Sequence, residues 1–372
     1  MKLTIDRSDL LRALSHVQSV VEKRNTIPIL SNVLLSAGPG ALTLTATDLD
    51  IEAVDAADAS VDQEGGLTAP AQTLFDVIRK LPESADVQLE FLPDNQRLSI
   101  QSGRSRFALP TLPASDFQTM TKDAGSVNFS LDASDLKRLI DKTRFAISTE
   151  ETRYYLNGVY LHIHDGDNGK RLRAVATDGH RLALSEIDAP EGSDGLAGVI
   201  IPRKAVSEVR RLIDGFDGIV SVSASEAKIV FTAGRAVLTT KLIDGSFPDY
   251  VRVIPQNNDK TMKVANVALE KAVDRVATVS AERSRSVKMS LEADKIILTV
   301  NHAETGHGVE EIEAEYASDP MEIGFNARYL LDVFQQIDGD VIEFDFSDPS
   351  APALVRDPED EASRFVLMPL RV

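Results

Sequence analysis

The chain of 372 residues contains no cysteine. This absence excludes disulfides, thiolate zinc sites and cysteine nucleophiles together, and it is typical of a reducing compartment. The apolar runs fall far short of the roughly 18 residues that span a bilayer, so we expect no contact with a membrane. Charged residues stand in segment 1–7, where a signal peptide needs an apolar stretch. The sequence therefore predicts a cytoplasmic protein.

Signatures of the common enzyme classes are also absent. A phosphate-binding loop at Gly169 and Lys170 would need a glycine five residues earlier, but His164 stands there. No G-x-S-x-G or H-E-x-x-H motif occurs. His162 and His164 share one face of a strand, but a metal site would need a third ligand. We therefore predict no catalytic residue, no metal and no cofactor.

What the sequence does contain is a repeat in each third of its length. Similar segments begin at Pro70, Pro202 and Asn326, and Ala-Thr-Asp occurs at both 46–48 and 176–178. Because the spacing greatly exceeds the roughly 20–50 residues of solenoid repeats, each copy is large enough for a core of its own. The predicted domains are 1–122, 127–254 and 260–372, with polar joints at 121–126 and 255–262.

Each predicted domain has the pattern of an α+β unit. Alternation of apolar and polar residues predicts strands, as at Val87, Leu89 and Phe91. Apolar residues at helical spacing predict two helices in each domain. These windows are 7–18, 71–80, 134–145, 203–213, 268–279 and 326–337. The order of elements predicts three similar domains, each with two helices packed on one face of an antiparallel sheet.

Charge is unevenly distributed along the chain. The net charge of −18 argues by itself against a nucleic-acid partner. The six helix windows nevertheless hold 15 Lys or Arg against 8 Asp or Glu, so the helices are basic and the remainder is strongly acidic. In window 203–213 the basic side chains lie opposite the apolar face; they are Arg203, Lys204, Arg210 and Arg211. Such a face is either a surface for phosphates or the ordinary solvated face of a helix.

Segment 173–182 has two interpretations. In an enzyme, Asp178 would orient His180 against a nucleophile such as Ser185, and a phosphate ester would dock on Arg181. In a protein without catalysis, the same turn would simply repeat the Ala-Thr-Asp turn of the first domain, which has no histidine. A metal- or phosphate-dependent hydrolase centred on Asp178 and His180 is therefore one alternative, and an inherited turn is the other.

Several long segments resemble the signature sequences of one family. They are 26–30, 102–107, 152–158, 175–182, 244–250 and 368–371. These segments are similar, from end to end of the chain, to the bacterial DNA polymerase III beta subunit, the sliding clamp. The resemblance implies a processivity factor without catalysis, which encircles duplex DNA independently of sequence and tethers the replicative polymerase. A clamp paralogue acting as a scaffold stays open as an alternative.

The resemblance also implies an assembly and a set of partners. It implies a head-to-tail homodimer closed into a ring of six domains, with helices lining the hole and sheets outside. The DNA polymerase III alpha subunit, the clamp-loader delta subunit, other DNA polymerases and repair proteins would bind one cleft through short linear motifs. We expect these partners to compete with one another.

Three groups of residues can be carried over from the family. The peptide-binding cleft would consist of Leu156, Thr177, Gly179, His180, Arg181, Leu182, Pro248, Val253, Val366 and Met368. The DNA contacts would be Arg24, Tyr154, Tyr155, Arg203 and Lys204. The dimer interface would join Phe107 and Leu109 to the region of Ala277, Thr278 and Val279. Two positions depart from the family pattern, since Gln72 replaces an expected arginine and Thr278 is less apolar than expected.

Overall fold

The computed structural model describes residues 1–22, 26–120, 127–166, 169–280, 286–304 and 306–371. The first third of the chain contains β1 (Lys2–Asp6), α1 (Arg7–Gln18), β2 (Asn32–Gly38), β3 (Ala41–Thr47), β4 (Ile51–Asp58), β5 (Ser60–Gln63), β6 (Gly65–Pro70), α2 (Ala71–Lys80), β7 (Asp86–Leu92), β8 (Arg97–Ser102), β9 (Ser105–Pro110) and β10 (Leu112–Pro113). The middle third contains β11 (Val127–Asp132), α3 (Ala133–Asp141), β12 (Gly158–Gly166), β13 (Gly169–Thr177), β14 (Arg181–Asp188), β15 (Val199–Pro202), α4 (Arg203–Leu212), β16 (Ile219–Ala224), β17 (Lys228–Ala233) and β18 (Ala236–Lys241). The last third contains β19 (Lys260–Ala265), α5 (Asn266–Ala277), β20 (Ser286–Glu292), β21 (Lys295–His302), β22 (Gly306–Glu313), β23 (Glu315–Tyr316), β24 (Met321–Asn326), α6 (Ala327–Phe334), β25 (Val341–Phe346), β26 (Ala353–Arg356) and β27 (Ser363–Leu367).

Helices occur at all six predicted positions. α1 and α2 coincide with the windows 7–18 and 71–80. The window 134–145 was too long, because α3 ends at Asp141 and a separate 3₁₀ turn follows at Arg144–Ala146. The predicted order of strand, helix, several strands, helix and several strands is confirmed in each third.

Local chemistry explains where α1 starts. The side chain of Asp6 accepts hydrogen bonds from the backbone amides of Ser8 and Asp9. These amides belong to the first turn of the helix, where no helical carbonyl is available to them. Leu10 and Leu14, four residues apart, are fully buried, so one face of the helix packs in the core.

The second predicted joint is shorter in the structure than in the sequence analysis. Segment 255–262 was expected to link two domains, but β19 already begins at Lys260. Met262 is fully buried, and the apolar alternation of β19 therefore extends into the predicted joint. The other predicted joint, 121–126, lies outside the described residues.

Two nine-stranded antiparallel sheets each combine strands from consecutive thirds of the chain. Their orders are β10-β6-β2-β3-β4-β18-β17-β16-β11 and β15-β12-β13-β14-β27-β26-β25-β19-β23. β4 pairs with β18 with Val54 opposite Val237, and β14 pairs with β27 with Leu182 opposite Val366. A five-stranded sheet, β5-β1-β7-β8-β9, and a four-stranded sheet, β22-β21-β20-β24, complete the fold. The predicted antiparallel sheets therefore continue from one repeat into the next.

The contacts divide the chain into two compact units. One unit comprises Met1–Lys137, Pro190–Ala197 and Lys204–Leu242, and the other comprises Arg138–Ala189, Gly198–Arg203 and Ile243–Val372. In the first unit α1 packs on α2 and contacts β1, β3 and β4, and in the second α5 packs on α6 and contacts β19, β21 and β22. The expectation that the helices pack on one sheet is wrong for α1 and α5, since each contacts strands of two sheets.

The lengths and apolar content of the helices bear on the membrane prediction. None of the helices in the described part of the chain is long and apolar enough to cross a bilayer.

Candidate functional site

The turn between β13 and β14 is built by two side chains. Oγ1 of Thr177 accepts a hydrogen bond from the amide of Gly179 and donates to the carbonyl of Arg181. Oδ1 of Asp178 accepts from the amides of His180 and Arg181, at 2.9 and 3.0 Å. The side chains of Thr177 and Asp178 thus satisfy backbone groups that a sharp turn would otherwise leave unpaired.

The first repeat forms the same turn with the same side chains. Oγ1 of Thr47 accepts from the amide of Leu49 and donates to the carbonyl of Ile51. Oδ1 of Asp48 accepts from the amides of Asp50 and Ile51. The interpretation of the Ala-Thr-Asp segment as a turn inherited by the repeat is therefore confirmed.

Glycine is favoured at position 179 in the second turn by its conformation and by its neighbour. Its φ of +88° lies in the left-handed region, which favours glycine. A Cβ atom at this position would stand 2.5 Å from Nη1 of Arg153. Glu150 holds that guanidinium through hydrogen bonds from Nε at 2.8 Å and Nη2 at 2.5 Å. A larger residue could therefore be accommodated only if this ion pair moved.

Arg181 is fully engaged by its own chain. Its guanidinium donates to Asp178 at 3.1 Å, to Asp332 at 2.5 Å and to the carbonyl of Phe145 at 2.6 Å. It also lies over the rings of Tyr329 and Phe145, at 4.4 and 5.2 Å from their centroids. The side chain is 9% exposed. Arg181 therefore stabilises the turn and the residues around it rather than offering a free positive charge.

The arrangement required by the hydrolase alternative is not assembled. Ser185 is fully buried, and its hydroxyl lies 3.1 Å from that of Ser363. His180 is exposed, and its ring stacks against Tyr329 at 6.3 Å between centroids. The guanidinium of Arg181, predicted to receive a phosphate ester, already has three hydrogen-bond partners. The hydroxyl of Ser185 and the guanidinium of Arg181 therefore contact other groups of the chain, whereas a catalytic site would need them available to a substrate.

Nine of the ten residues predicted for the cleft line one cavity of about 190 Å³. They are Leu156, Thr177, Gly179, Arg181, Leu182, Pro248, Val253, Val366 and Met368. The tenth, His180, is absent from the lining, and its carbonyl accepts a hydrogen bond from the amide of Met368. Asp249 and Tyr250 also line the cavity and were missed. Both follow Pro248 directly within the family-like segment 244–250, which could have indicated them.

The cavity combines fixed walls with exposed apolar groups. Leu156, Leu182 and Val366 are buried, and the last two belong to a core cluster with Tyr250. Val253 and Met368 are 48% and 41% exposed. Exposed apolar side chains at a preformed cavity favour the binding of apolar groups, and methionine adapts to different shapes.

The two histidines considered as metal ligands belong to no metal cluster formed by the described residues. Nδ1 of His162 lies 2.9 Å from the carbonyl oxygen of Ile163, and Nε2 lies 2.9 Å from the hydroxyl of Tyr250. Burial lowers the pKa of both His162 and His164. No group of three or more His, Cys, Asp or Glu suited to a metal occurs within the described ranges.

The residues predicted to contact DNA lie in different settings. Tyr154 is 54% exposed and meets Tyr155 edge to face, with 5.7 Å between centroids. Arg203 is exposed at the start of α4, and its amide donates to the carbonyl of Asn157 at 2.9 Å. Arg24 lies outside the described residues.

Lys204 is already paired within the chain. Its Nζ lies 2.5 Å from Asp48 and 3.1 Å from Glu22, and it donates to the carbonyl of Val20. Burial alone would lower the pKa of Lys204, but hydrogen bonds to Asp48 and Glu22 outweigh it and raise the pKa. The amine is therefore charged, but two carboxylates balance its charge.

Two other basic residues of α4 also have acidic neighbours. Arg210 pairs with Asp214 at 3.0 Å, and Arg211 pairs with Glu208 at 2.9 Å. The sequence left two interpretations of this face open, a surface for phosphates or the ordinary solvated face of a helix. The charges of Lys204, Arg210 and Arg211 are paired locally, which favours the second interpretation for these three residues.

The residues predicted for the dimer interface lie on or near the edges of two sheets. Phe107 and Leu109 belong to β9, an edge of the five-stranded sheet, and Phe107 is 41% exposed. Thr278 follows α5 and is exposed, and Val279 lies beside Gly308 of β22, an edge strand of the four-stranded sheet. Gln72, which departs from the family pattern, donates a hydrogen bond to Asp76 on α2.

Three family models match consecutive parts of the chain. They describe the N-terminal, central and C-terminal domains of the DNA polymerase III beta subunit and match residues 1–121, 130–249 and 251–371. The chain therefore belongs to the DNA polymerase III beta subunit family, the bacterial sliding clamps.

Individual relatives agree over the full length. The chain is 58% identical to the beta sliding clamp of Caulobacter vibrioides over 372 residues, which covers 100% of both chains. A crystal structure of the Caulobacter crescentus beta sliding clamp matches with a TM-score of 0.96 and 58% identity, covering 100% of this chain and 99% of that one. The sliding clamp of Bartonella birtlesii, solved bound to griselimycin, matches with a TM-score of 0.97 and 48% identity, covering 100% of both chains.

The family defines the function of the chain at a general level. It is a DNA sliding clamp, a non-catalytic processivity factor of DNA polymerase III. The predicted three-domain α+β fold and the absence of catalysis are confirmed by this membership.

Proposed function

We propose that the chain works as a head-to-tail homodimer, closed into a ring of six similar domains around duplex DNA. The order of strands supports this assembly. Both nine-stranded sheets join two repeats by the same rule. One strand of the joining pair is the third strand after the first helix of its repeat, and its partner is the third strand after the second helix of the following repeat. These pairs are β4 with β18 and β14 with β27. The strands left in the equivalent positions are β22, in the last repeat, and β9, in the first.

Pairing of β22 with β9 of a second copy would follow the same rule. It would join the four-stranded and five-stranded sheets into another nine-stranded sheet and would cover two sheet edges that otherwise invite aggregation. Arg104 directly precedes β9 and Arg106 is near its start, and Glu311 and Glu313 lie at the end of β22. Antiparallel pairing would bring these ends together, so opposite charges would meet.

The cleft is proposed to bind short linear motifs of partner proteins. We assign to it the DNA polymerase III alpha subunit, the clamp-loader delta subunit, other DNA polymerases and repair proteins. The apolar cavity with Val253 and Met368 exposed beside it supports this role. Affinities near micromolar, about −8 kcal/mol, would allow partners to exchange. Because the Bartonella birtlesii clamp binds griselimycin, we expect this chain to bind it and partners to compete with it.

The grip on DNA is proposed to be weak and independent of sequence. Tyr154, Tyr155 and Arg203 would contact backbone or exposed bases, with Arg24 and Lys204 contributing charge. Paired cations bind phosphates less strongly, because each phosphate contact must displace an existing carboxylate. Topological linkage rather than affinity would then keep the clamp on DNA.

Retention on DNA of different topology tests the ring. The clamp would be loaded by its cognate clamp loader with ATP on nicked circular plasmid, washed in high salt, and measured again after the circle is cut. We expect retention on circles and rapid loss from linear DNA. Equal, salt-sensitive binding to both forms would refute encirclement, and absence of loading beside a working control clamp would favour the paralogue acting as a scaffold.

The proposed interface between β9 and β22 of a second copy is called the seam. A charged residue in the seam tests the dimer. Phe107→Asp would place a carboxylate in the seam, so we expect a monomer by sedimentation velocity at concentrations where the wild type is dimeric. Ile219→Asp is the matched control, since Ile219 is 56% exposed but lies on β16, between β11 and β17. A dimeric Phe107→Asp variant would contradict the proposed pairing of β9.

A further inference from the structure

The hydroxyl of Tyr250 connects the cleft to a set of polar groups. The residue lines the cavity and is 5% exposed. Its hydroxyl accepts a hydrogen bond from Nη1 of Arg173 at 3.0 Å and lies 2.9 Å from Nε2 of His162. Nδ1 of His162 lies 2.9 Å from the carbonyl oxygen of Ile163. Four groups therefore form one continuous chain of hydrogen bonds.

The partners of His162 select one protonation state. The carbonyl of Ile163 can only accept, so Nδ1 carries a proton. In a neutral imidazole Nε2 is then an acceptor, and the hydroxyl of Tyr250 donates to it. Arg173 can only donate, so the oxygen of Tyr250 accepts from it. Every donor meets an acceptor in this arrangement when the imidazole is neutral.

Protonation of His162 would disturb the contact with Tyr250. Nε2 would become a second donor directed at the hydroxyl oxygen, and the hydroxyl proton would lose its acceptor. The charged imidazole would also lie close to the guanidinium of Arg173, because both groups contact the hydroxyl of Tyr250. Since an unsatisfied buried donor is unfavourable, Tyr250 would have to rotate or shift within the wall of the cleft.

Ionisable groups on neighbouring elements act on the same imidazole. His164 on β12 meets His162 edge to face at 6.4 Å, and Tyr160 on the same strand stacks on it at 4.6 Å between centroids. Glu186 on β14 pairs with Arg173 on β13 at 2.6 Å. Arg364 on β27 acts on His164.

The net effect of these surroundings favours the neutral form. Burial lowers the pKa of His162 below the ordinary value of 6.5, and the charges of Arg173 and His164 act in the same direction. The carbonyl of Ile163 and the carboxylate of Glu186 oppose this shift but do not reverse it.

We propose that His162 is a positioning residue of the cleft, whose neutral imidazole holds Tyr250 in the wall that receives a partner's apolar side chains. Partner binding then weakens when His162 is protonated. This inference rests on the proposed role of the cleft as the partner site, and it adds a pH dependence to that role.

The size of the effect follows from the fraction of neutral His162. If only that fraction binds, the apparent affinity falls about tenfold for each pH unit below the pKa of His162. Protonation of His162 should lower the stability of the folded chain as well as its affinity for partners. Between its lowered pKa and 6.5 the folded chain binds fewer protons at His162 than the unfolded chain, so stability is lost as pH falls through this window.

Binding of the cognate clamp-loader delta subunit, measured from about pH 8 to about pH 5, tests the proposal. Wild type and His164→Gln should lose affinity in parallel on acidification. His162→Gln should keep a flatter profile, because an amide oxygen can accept from Tyr250 but is not protonated in this range. Tyr250→Phe, which lacks the hydroxyl, should lose the dependence on His162. Equal acid sensitivity of wild type and His162→Gln would overturn the proposal.

A measurement without a ligand separates this inference from the proposed function. Imidazole ¹⁵N spectra of the six histidines, with His162 assigned by His162→Gln, report which nitrogen carries the proton. We expect Nδ1–H at about pH 8. A proton on Nε2, or a charged ring, would refute the hydrogen-bond argument. Failure of the wild type to bind the delta subunit, with Nδ1–H present, would instead refute the cleft as its site.

Discussion

Replacement of Arg181 by alanine should destabilise the folded chain strongly, although the residue lies in the wall of a binding cavity. The change removes three hydrogen bonds and two ring contacts, leaves Asp178 without its paired guanidinium, and leaves Asp332 with the more distant Arg328, at 4.0 Å. Breaking a buried ion pair by removing one partner costs about 3–5 kcal/mol. The carboxylates are 16% and 27% exposed, so water recovers part of this loss and we expect about 2–4 kcal/mol.

Urea unfolding followed by far-UV circular dichroism measures this loss as the change in the free energy of unfolding. Arg252→Ala is the matched control, because Arg252 pairs with Asp249 at 2.6 Å but is 85% exposed. Its loss should cost less than about 1 kcal/mol. Arg181→Lys should fall between the two, since an ammonium cannot replace a guanidinium fork. If Arg181→Ala and Arg252→Ala were equally stable while only the former lost partner binding, Arg181 would be a free binding cation and the structural argument would be refuted.

Two further predictions concern the equivalent turns of the first and second repeats, at 47–51 and 177–181. Leu49→Gly should stabilise the chain by up to about 1 kcal/mol, because Leu49 has a φ of +78° and is 37% exposed; thermal unfolding checks this, and a lower melting temperature would contradict it. Gly179→Ala should weaken binding of the delta subunit at least about tenfold, because Gly179 lines the cavity and a Cβ there would displace Arg153. Gly103→Ala, also at positive φ but in open space, is the control, and equal effects on binding would contradict the role of the Arg153 contact.

The sequence allowed the helices and most of the residues that line the cavity to be predicted, because both depend on local patterns. The start of α1 is encoded by Asp6, and the cleft residues lie in a few contiguous segments similar to a family. The continuation of sheets between repeats could not be predicted in this way. β4 and β18 meet through Val54 and Val237, and apolar alternation shows that each is a strand but does not specify its distant partner.

The charge pairing of the residues predicted to contact DNA could not be foreseen for a similar reason. Helical phase showed correctly that α4 carries several cations, but it could not show that Asp48, 156 residues away, lies beside Lys204. A sequence motif alone also could not distinguish the roles of two adjacent residues. His180 and Arg181 follow one another in a family-like segment, yet one is exposed beside Tyr329 and the other is buried between two carboxylates.

The pairing of Lys204 should control how the proposed ring holds DNA. Asp48→Asn would keep Oδ1 as the acceptor of the turn but remove the charge that lies 2.5 Å from Nζ of Lys204. With Glu22 as the remaining carboxylate partner, the ammonium of Lys204 is more available to a phosphate. Binding to short linear duplex should therefore tighten, and the slope of log affinity against log salt should steepen by up to about one. Asp50→Asn is the control, because Asp50 pairs instead with Lys241. An unchanged salt slope in Asp48→Asn would mean that Lys204 does not meet phosphate. A steeper slope with slower movement along DNA would mean that the intrachain carboxylates keep the clamp mobile by occupying its cations.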